Sequence, residues 1–448
     1  MVNQEGLEWK YQHLSLEPCW TKEPDTTIIT RLAREHLGPF LKNDAIPLEV
    51  TFFDCGAFNK LYKITAPGLD KTYLMRVSLP VDPHHKVSSE VATIKFLEEE
   101  THIPVPKIVA SNDDNGNELG FEWILMEMCE GGPLRKCWRK LEWQQKEEIV
   151  RKLARYQAEL FDKPFERIGN IYSTPSGTTP SGTTPSGTPQ AASQKASFTV
   201  SRIVSMSFFW GSRINHDVLR GPFTTSSEWL RSRLQLFSLE HEHLLKNSDD
   251  EDEILDAEDN KKVAECILEA LPVVFPPDAT QAETTVLFHD DLSSSNILVN
   301  EKGELMAIID WEFVSTLPLW RACQFPYILQ GRTREEKPIK DIYASDDESD
   351  SWDDDPLDNE GVAELYWEHL MEYEKGQLRA VFLEEMKKLQ PEWVQIMEES
   401  SLKADFERAV NLVDSDWMQG CARRWANAVK EGKPYSLLDI IEERVEKR

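Results

Sequence analysis

Between Leu287 and Glu312 the chain reads LFHDDLSSSNILVNEKGELMAIIDWE, and residues within it have the types and spacing for proton transfer beside a hard metal ion. Two apolar runs, NILV and ELMAIIDW, flank NEKG, a turn-rich tetrapeptide that suits a hairpin loop at Asn300–Gly303. Antiparallel pairing about that turn brings Asn296, at the start of one strand, close to Asp310, at the end of the other. A carboxylate and an amide oxygen are both hard ligands. Mg²⁺ takes a few such protein oxygens and completes its shell with water and substrate phosphates. Asp291 lies five residues before Asn296, on the loop entering the hairpin, where it can accept a proton from a hydroxyl held beside the metal. His289 is expected to brace the loop rather than react. An HxDxxxxN match alone is a weak signal; an Asp after a hairpin of the right length strengthens it.

The elements before this stretch must position it. LEVTFFDCGAFNKLYKITA and KTYLMRVSLP are rich in β-branched and aromatic residues, broken by Gly and Pro, and read as strands. VSSEVATIKFLEEETH carries Val87, Val91, Ile94 and Leu97 at helical spacing. PVPKIVAS and FEWILMEMCEGGPL supply two further strands, the second closing on Gly131–Gly132–Pro133. Strands, one helix, then strands again describe a small α+β lobe. From Leu134 onward helical patterns dominate, the longest being EGVAELYWEHLMEYEKGQLRAVFLEEMKKL, with Leu365, Leu370, Tyr373 and Leu378 near the helical period. The opening stretch is the one clear β interruption expected in that half.

In this order the chain resembles the protein-kinase-like fold, α+β and two-lobed, with a small β-rich N-lobe and a larger, mainly helical C-lobe. HDDLSSSNILV and IIDWE stand where protein kinases have HRD and DFG, and no APE-like element follows. The details are similar to the aminoglycoside phosphotransferase family. AFNKLYKI, YLMRVSLP, IPVPKIVA, ILMEMCEGGPL, RGPFTTSSEWL and DWEFVSTLPLW together resemble its large fungal branch, from about Val50 to the C-terminus. The resemblance implies an ATP- and Mg²⁺-dependent transfer to a hydroxyl of a small molecule. Asp291 would be the base, and Asn296 and Asp310 the metal ligands. The turn near Gly56 would cover the phosphates, and the linker from Glu127 to Cys129 would meet the adenine. Family members place a Lys on the third strand of the lobe; here the aligned residue is Arg76, with Glu90 as its expected helix partner. Arg keeps the charge but not the shape of Lys, and DCGAFNK carries one glycine rather than GxGxxG. These departures motivate an alternative, a pseudokinase that binds nucleotide or a partner without transferring phosphate.

The same resemblance divides the chain into an N-terminal extension packing on the lobes (1–45), a nucleotide-binding N-lobe (46–133) and a catalytic, acceptor-binding C-lobe (134–448). A PSGTT repeat marks a disordered insertion at 173–197, and acid-dense runs at 247–253 and 345–360 read as solvated, mobile loops. The second run raises the idea of a cationic acceptor. A formal net charge of −29 argues against nucleic-acid binding, because phosphate-backbone binders concentrate Lys and Arg on one face. No apolar run approaches the length of a membrane-spanning helix. The N-terminus has neither a signal-peptide nor an Arg-rich transit pattern, and the seven cysteines are scattered without a CxxC pair, so a cytoplasmic protein with reduced thiols is expected. His241–His243 (HEH) lacks metal-ligand spacing, Pro83–Lys86 (PHHK) reads as exposed loop, and Trp311 and Trp320 read as core.

Overall fold

The computed structural model describes residues 2–12, 15–41, 43, 46–174, 197–276, 281–343, 360–415, 417–433 and 435–446. The bulk of the PSGTT repeat and of the 345–360 acidic run therefore lies outside the described residues.

The chain opens with a hairpin, β1 (Leu7–Gln12) and β2 (Ser15–Trp20), and a helix, α1 (Thr26–Leu37). Asp25 caps α1 through its side chain, accepting from the Thr27 N–H. A five-stranded antiparallel sheet follows, built from β3 (Glu49–Cys55), β4 (Asn59–Thr65), β5 (Tyr73–Ser78), β6 (Ile108–Asn112) and β7 (Glu122–Glu127) in the order β3-β4-β5-β7-β6. A single helix, α2 (His85–Glu100), connects β5 to β6. Period-two alternation splits the sheet into two faces. Tyr62, Ile64, Tyr73, Met75, Val77, Trp123 and Leu125 point outward and are covered by Ile29, Leu32, Ala33 and Leu37 of α1. The opposite face meets α2 through Ile124, Met126, Val87 and Val91. Helix α2 is buried nearly all round, since Ala92, Ile94, Phe96 and Leu97 join the core of the second lobe.

The linker after β7 enters β8 (Gly132–Pro133), which pairs with the hairpin strand β12 (Ile297–Val299). Then come α3 (Trp143–Phe161), β9 (Asn170–Thr174), β10 (Ser197–Ser201), α4 (Met206–Phe209), α5 (Ser226–Asn247), α6 (Glu251–Val274) and β11 (Thr285–Phe288). After β12 follow β13 (Leu305–Ile308), β14 (Ser315–Pro318), α7 (Leu319–Ala322), α8 (Glu364–Leu389), α9 (Pro391–Glu399), α10 (Ser401–Asn411), α11 (Gln419–Lys430) and α12 (Leu437–Glu446). The fold is α+β and two-lobed, with the kinase-like order of sheet, helix, linker and helical lobe.

Four expectations are revised. Strands are more numerous in the second lobe than the pattern suggests: β9 and β10 pair as a hairpin whose two ends bracket the PSGTT insertion, and β11 pairs with β14. Strands of four or five residues carry too few alternations to show a period. The 247–253 run is a helix junction, not a mobile loop. Asp250 accepts from the N–H groups of Asp252 at 2.9 Å and Glu253 at 3.3 Å, and Glu251, Asp252 and Glu253 occupy the first turn of α6, where the helix dipole favours acids. In α8 the buried stripe is Tyr366, Glu374, Leu378, Phe382 and Met386, whereas Leu365 is exposed. Finally, the Pro83–Lys86 stretch is the entry of α2, and its Lys86 is fully buried.

Where the linker crosses the hairpin, Gly131 adopts φ +96°, and a Cβ there would sit 2.6 Å from the Val299 carbonyl oxygen. Gly131→Ala is expected to destabilise the protein by about 2 kcal/mol or more, through positive-φ strain and backbone overlap. Urea unfolding checks it, and an unchanged midpoint would contradict the close approach.

Candidate active site

The hairpin turns at Asn300–Gly303: the Gly303 N–H donates to the Asn300 carbonyl at 2.9 Å, and Gly303 takes the left-handed φ of +74° that the turn requires. Register Ile297↔Ile308 and Leu298↔Ala307 fixes the pair. One residue beyond the ladder, the Ile309 N–H donates to the Asn296 carbonyl at 3.0 Å, which places Asn296 beside the backbone that leads into Asp310. The Asn296 side-chain NH₂ donates to the Asp291 carbonyl at 2.8 Å and to Asp291 Oδ2 at 3.0 Å. Asp291 itself is exposed at the loop surface. The loop is pinned by further backbone bonds, Arg135 N–H to Ser294 O at 3.0 Å and Ile328 N–H to Leu292 O at 2.9 Å. His289 is buried, its Nε2–H donates to the Ile309 carbonyl at 3.1 Å, and its ring lies 4.7 Å from that of Trp311. Burial lowers the His289 pKa, so the ring is a neutral spacer between loop and hairpin.

From β5, Arg76 reaches across the lobes. Its guanidinium pairs with Glu90 of α2, with Asp310 Oδ1 at 3.0 Å and with Glu312 Oε2 at 2.8 Å. Lys86, one helical turn before Glu90, places its ammonium 2.7 Å from the same Glu312 oxygen. It also donates to Asn59 Oδ1 at 2.8 Å and Ser78 Oγ at 3.1 Å. Asn59 in turn donates to Glu312 Oε2 at 3.0 Å. Asp310 and Phe313 both take left-handed backbone angles, φ 64° and 60°, so the DWEF segment bends twice and turns Glu312 inward.

Burial sets the charge states, and neighbours correct them. Burial would push the Glu312 carboxyl up, but Lys86 and then Arg76 outweigh it and hold it at about 2. Burial pushes Glu90 up to about 7 against the pull of Arg76. Its Oε2 has no hydrogen-bond partner among the described residues. Asp310 is raised, by burial first and by neighbouring Glu312 second, although its side chain keeps 36% of its surface exposed.

The remaining predicted positions lie at the rim. Gly56 closes the β3–β4 turn by donating to the Asn59 carbonyl at 2.9 Å, and open space surrounds the position of its missing Cβ. In the linker the Glu127 N–H is taken by the Lys107 carbonyl at 2.8 Å and the Met128 N–H by Thr72 O at 2.9 Å. The Glu127 carboxylate faces Lys71. Burial pushes the Cys129 thiol up to about 11, so it stays protonated. A cleft of about 450 Å³ runs along the linker, bounded by Thr72, Val105, Lys107 and Met128.

The donor set suits a magnesium ion. The Asn296 NH₂ is consumed by Asp291, which leaves the amide oxygen as the group to present to a cation, and Asp310 adds a partly exposed carboxylate. Among the described residues no group of three His, Cys, Asp or Glu is arranged to hold a metal. Sequence reasoning missed Asn59, Lys86 and Glu312. The available signal was the four-residue spacing of Lys86 and Glu90, which puts both on one helix face.

The two lobes have the kinase-like fold. A family model described as "Phosphotransferase enzyme family" matches residues 49–320, and the chain belongs to that family. A subtelomeric hrmA-associated cluster protein of Aspergillus fumigatus is 28% identical over 173 residues, 38% of this chain and 32% of that protein. Altered inheritance of mitochondria protein 9 of Saccharomyces cerevisiae is 20% identical over 356 residues, 70% of this chain and 54% of that protein. Among solved structures, a choline kinase from Cryptosporidium parvum superposes with a TM-score of 0.43 and 15% identity, covering 94% of this chain and 97% of that one. The matches span about a third to about half the length of these curated relatives. Relatives from Candida glabrata, Meyerozyma guilliermondii and Saccharomyces cerevisiae are named as mitochondrial proteins, which overturns the cytoplasmic expectation drawn from the N-terminus and cysteines.

Helix α2, which carries both Lys86 and Glu90, has no side-chain cap of its own. Glu122, 1% exposed at the start of β7, takes that role by accepting from the His84 N–H at 2.5 Å. Burial pushes its pKa from 4.5 to about 7. A folded pKa above the unfolded one gives a contribution fully present below pH 4.5 and lost as pH rises through about 7. Relative to Glu122→Gln, the native protein should lose on the order of 2 kcal/mol between pH 4.5 and 8. Chemical denaturation at stepped pH measures this, and parallel stability curves for the two proteins would refute it.

Proposed function

We propose that this chain moves the γ-phosphoryl group of ATP, with Mg²⁺, to a hydroxyl of a small molecule. The observation that carries the reading is the meeting of Asp291, Asn296 and Asp310 at one hairpin, opposite the Arg76–Glu90 pair.

In this reading Asp291 orients the acceptor hydroxyl and takes its proton. Its Oδ2 is tethered by the Asn296 amide at 3.0 Å, which fixes the carboxylate on an exposed stretch of the loop. Asn296 and Asp310 hold the magnesium ion. The ion, when bound, neutralises phosphate charge that grows toward the leaving group. Arg76 carries a permanent positive charge into the same space. His289, neutral and wedged against Trp311, keeps the loop and hairpin in register. The Glu127 and Met128 N–H groups are already bonded to protein, so the Cys129 N–H is the donor this reading assigns to an adenine edge. Such sites work chiefly through positioning and charge neutralisation, so a pre-bonded loop matters more than a reactive side chain.

A second reading, a nucleotide- or partner-binding module without transfer, draws on one observation: Arg76 occupies the phosphate-cation position and is itself bonded to Asp310. Turnover separates the two. With an acceptor supplied from a metabolite mixture, Mg²⁺-dependent ATP consumption should fall about 10³-fold in Asp291→Asn while the thermal midpoint stays put. Equal turnover in the variant would remove Asp291 from the chemistry, and no turnover in either would favour the binding module.

A further inference from the structure

Lys86 is the buried charge that this site's chemistry does not use. It is 1% exposed, and its ammonium has three N–H donors. Three acceptors surround it: Glu312 Oε2 at 2.7 Å, Asn59 Oδ1 at 2.8 Å and Ser78 Oγ at 3.1 Å. With its donors matched one to one, Lys86 has none left for a phosphate. It is not a displaced substitute for the missing third-strand lysine.

What it does instead follows from the charges. Glu90, Asp310 and Glu312 converge on Arg76, and Glu312 is shared with Lys86. A buried carboxylate bound on one side alone is costly, because desolvation outweighs a single weak partner. Asn59, Lys86 and Arg76 all address the same Glu312 oxygen, and Glu312 reaches it from the DWEF bend of the other lobe. With Asp310 engaged by a metal, Arg76 would still keep two carboxylates, Glu90 and Glu312.

We propose that Lys86 and Asn59 clamp Glu312, and that this clamp holds the DWEF bend so that Asp310 is presented for metal–nucleotide binding. Lys86 is a positioning residue. The proposal rests on the reading of the site as a magnesium-dependent phosphotransferase, and its test has one arm independent of that reading.

In the ligand-free full-length chain, hydrogen–deuterium exchange should rise in residues 309–314 in Lys86→Met. Lys86→Arg should return part of the protection. Glu312→Gln, which keeps shape and loses charge, should reproduce the local rise if Lys86→Met folds poorly. Exchange unchanged at 309–314 in both variants overturns the clamp. So does a uniform rise that includes residues 419–430, because that reports general destabilisation. In the second arm, the Mg²⁺ concentration for half-maximal thermal stabilisation by ATP should increase about tenfold or more in Lys86→Met and Glu312→Gln. The same Mg²⁺ requirement as wild type overturns the metal-presenting role. If wild-type protein shows no Mg²⁺-dependent stabilisation by ATP, the phosphotransferase reading fails, and the exchange arm alone decides the clamp.

Discussion

Glu312 binds the two lobes together with a single carboxylate oxygen. It receives Asn59 from β4, Arg76 from β5 and Lys86 from α2, all N-lobe elements, while its own backbone belongs to the segment between β13 and β14. Water is excluded here, so each of these charges would be unfavourable alone; together they satisfy one another. The site's other features depend on this junction. Arg76 is aimed by it, Asp310 is carried two residues before it, and α2 is oriented so that Lys86 and Glu90 face the same way.

An apolar layer backs the polar junction. Phe58, just past the Gly56 turn, packs edge-on against Phe313 at 5.3 Å and Phe209 at 5.8 Å. Phe209 meets Phe313 at 5.2 Å, and Trp9 of the N-terminal hairpin reaches Trp210 at 4.9 Å. The turn at Gly56, the DWEF bend, α4 and the N-terminal hairpin therefore share one cluster. Aromatic packing of this kind adds roughly 0.5–1.5 kcal/mol per pair beyond area burial. The outer face of the sheet is likewise sealed by α1, whose Ile29, Ala33 and Leu37 are fully buried.

The parts legible in the sequence were those where local chemistry dictates structure. The β-branched and aromatic residues of KTYLMRVSLP and a four-residue turn at NEKG specify strand and hairpin because residue preference and turn type are local properties. Asn296 and Asp310 follow from that hairpin by counting. Lys86 was hidden by its neighbours: two histidines and a proline made Pro83–Lys86 look like surface loop, and the partners that bury the ammonium, Asn59 and Glu312, are 27 residues before it and far downstream. Burial of a lysine is a tertiary fact, set by acceptors that local pattern does not reveal. Glu312 was passed over for the complementary reason. It lies two residues after the metal-ligand candidate, and only the left-handed angles at Asp310 and Phe313 turn it into the interior. In α8, Leu365 was chosen by helical period together with Leu378, yet only Leu378 of the two is in the buried stripe, which includes Glu374, paired with Lys146 at 2.7 Å and Trp138 at 2.9 Å.

Arginine at position 76 looks at first like a loss of function, and the geometry argues otherwise. A lysine there would offer three donors from one point and would satisfy Glu90 plus one ligand oxygen. The guanidinium offers five donors in a planar fork, and its two terminal nitrogens here address Glu90 on one side and Asp310 with Glu312 on the other. The wider fork has room for a second carboxylate, and a second carboxylate in a buried site needs a second cation. Lys86 is that cation. Arg76, Lys86 and Glu312 thus form one interlocked arrangement: without Arg76, Glu90 loses its ion partner, and without Glu312, Lys86 loses its own. Arginine at this site is best understood as part of a larger ion network rather than as a damaged lysine.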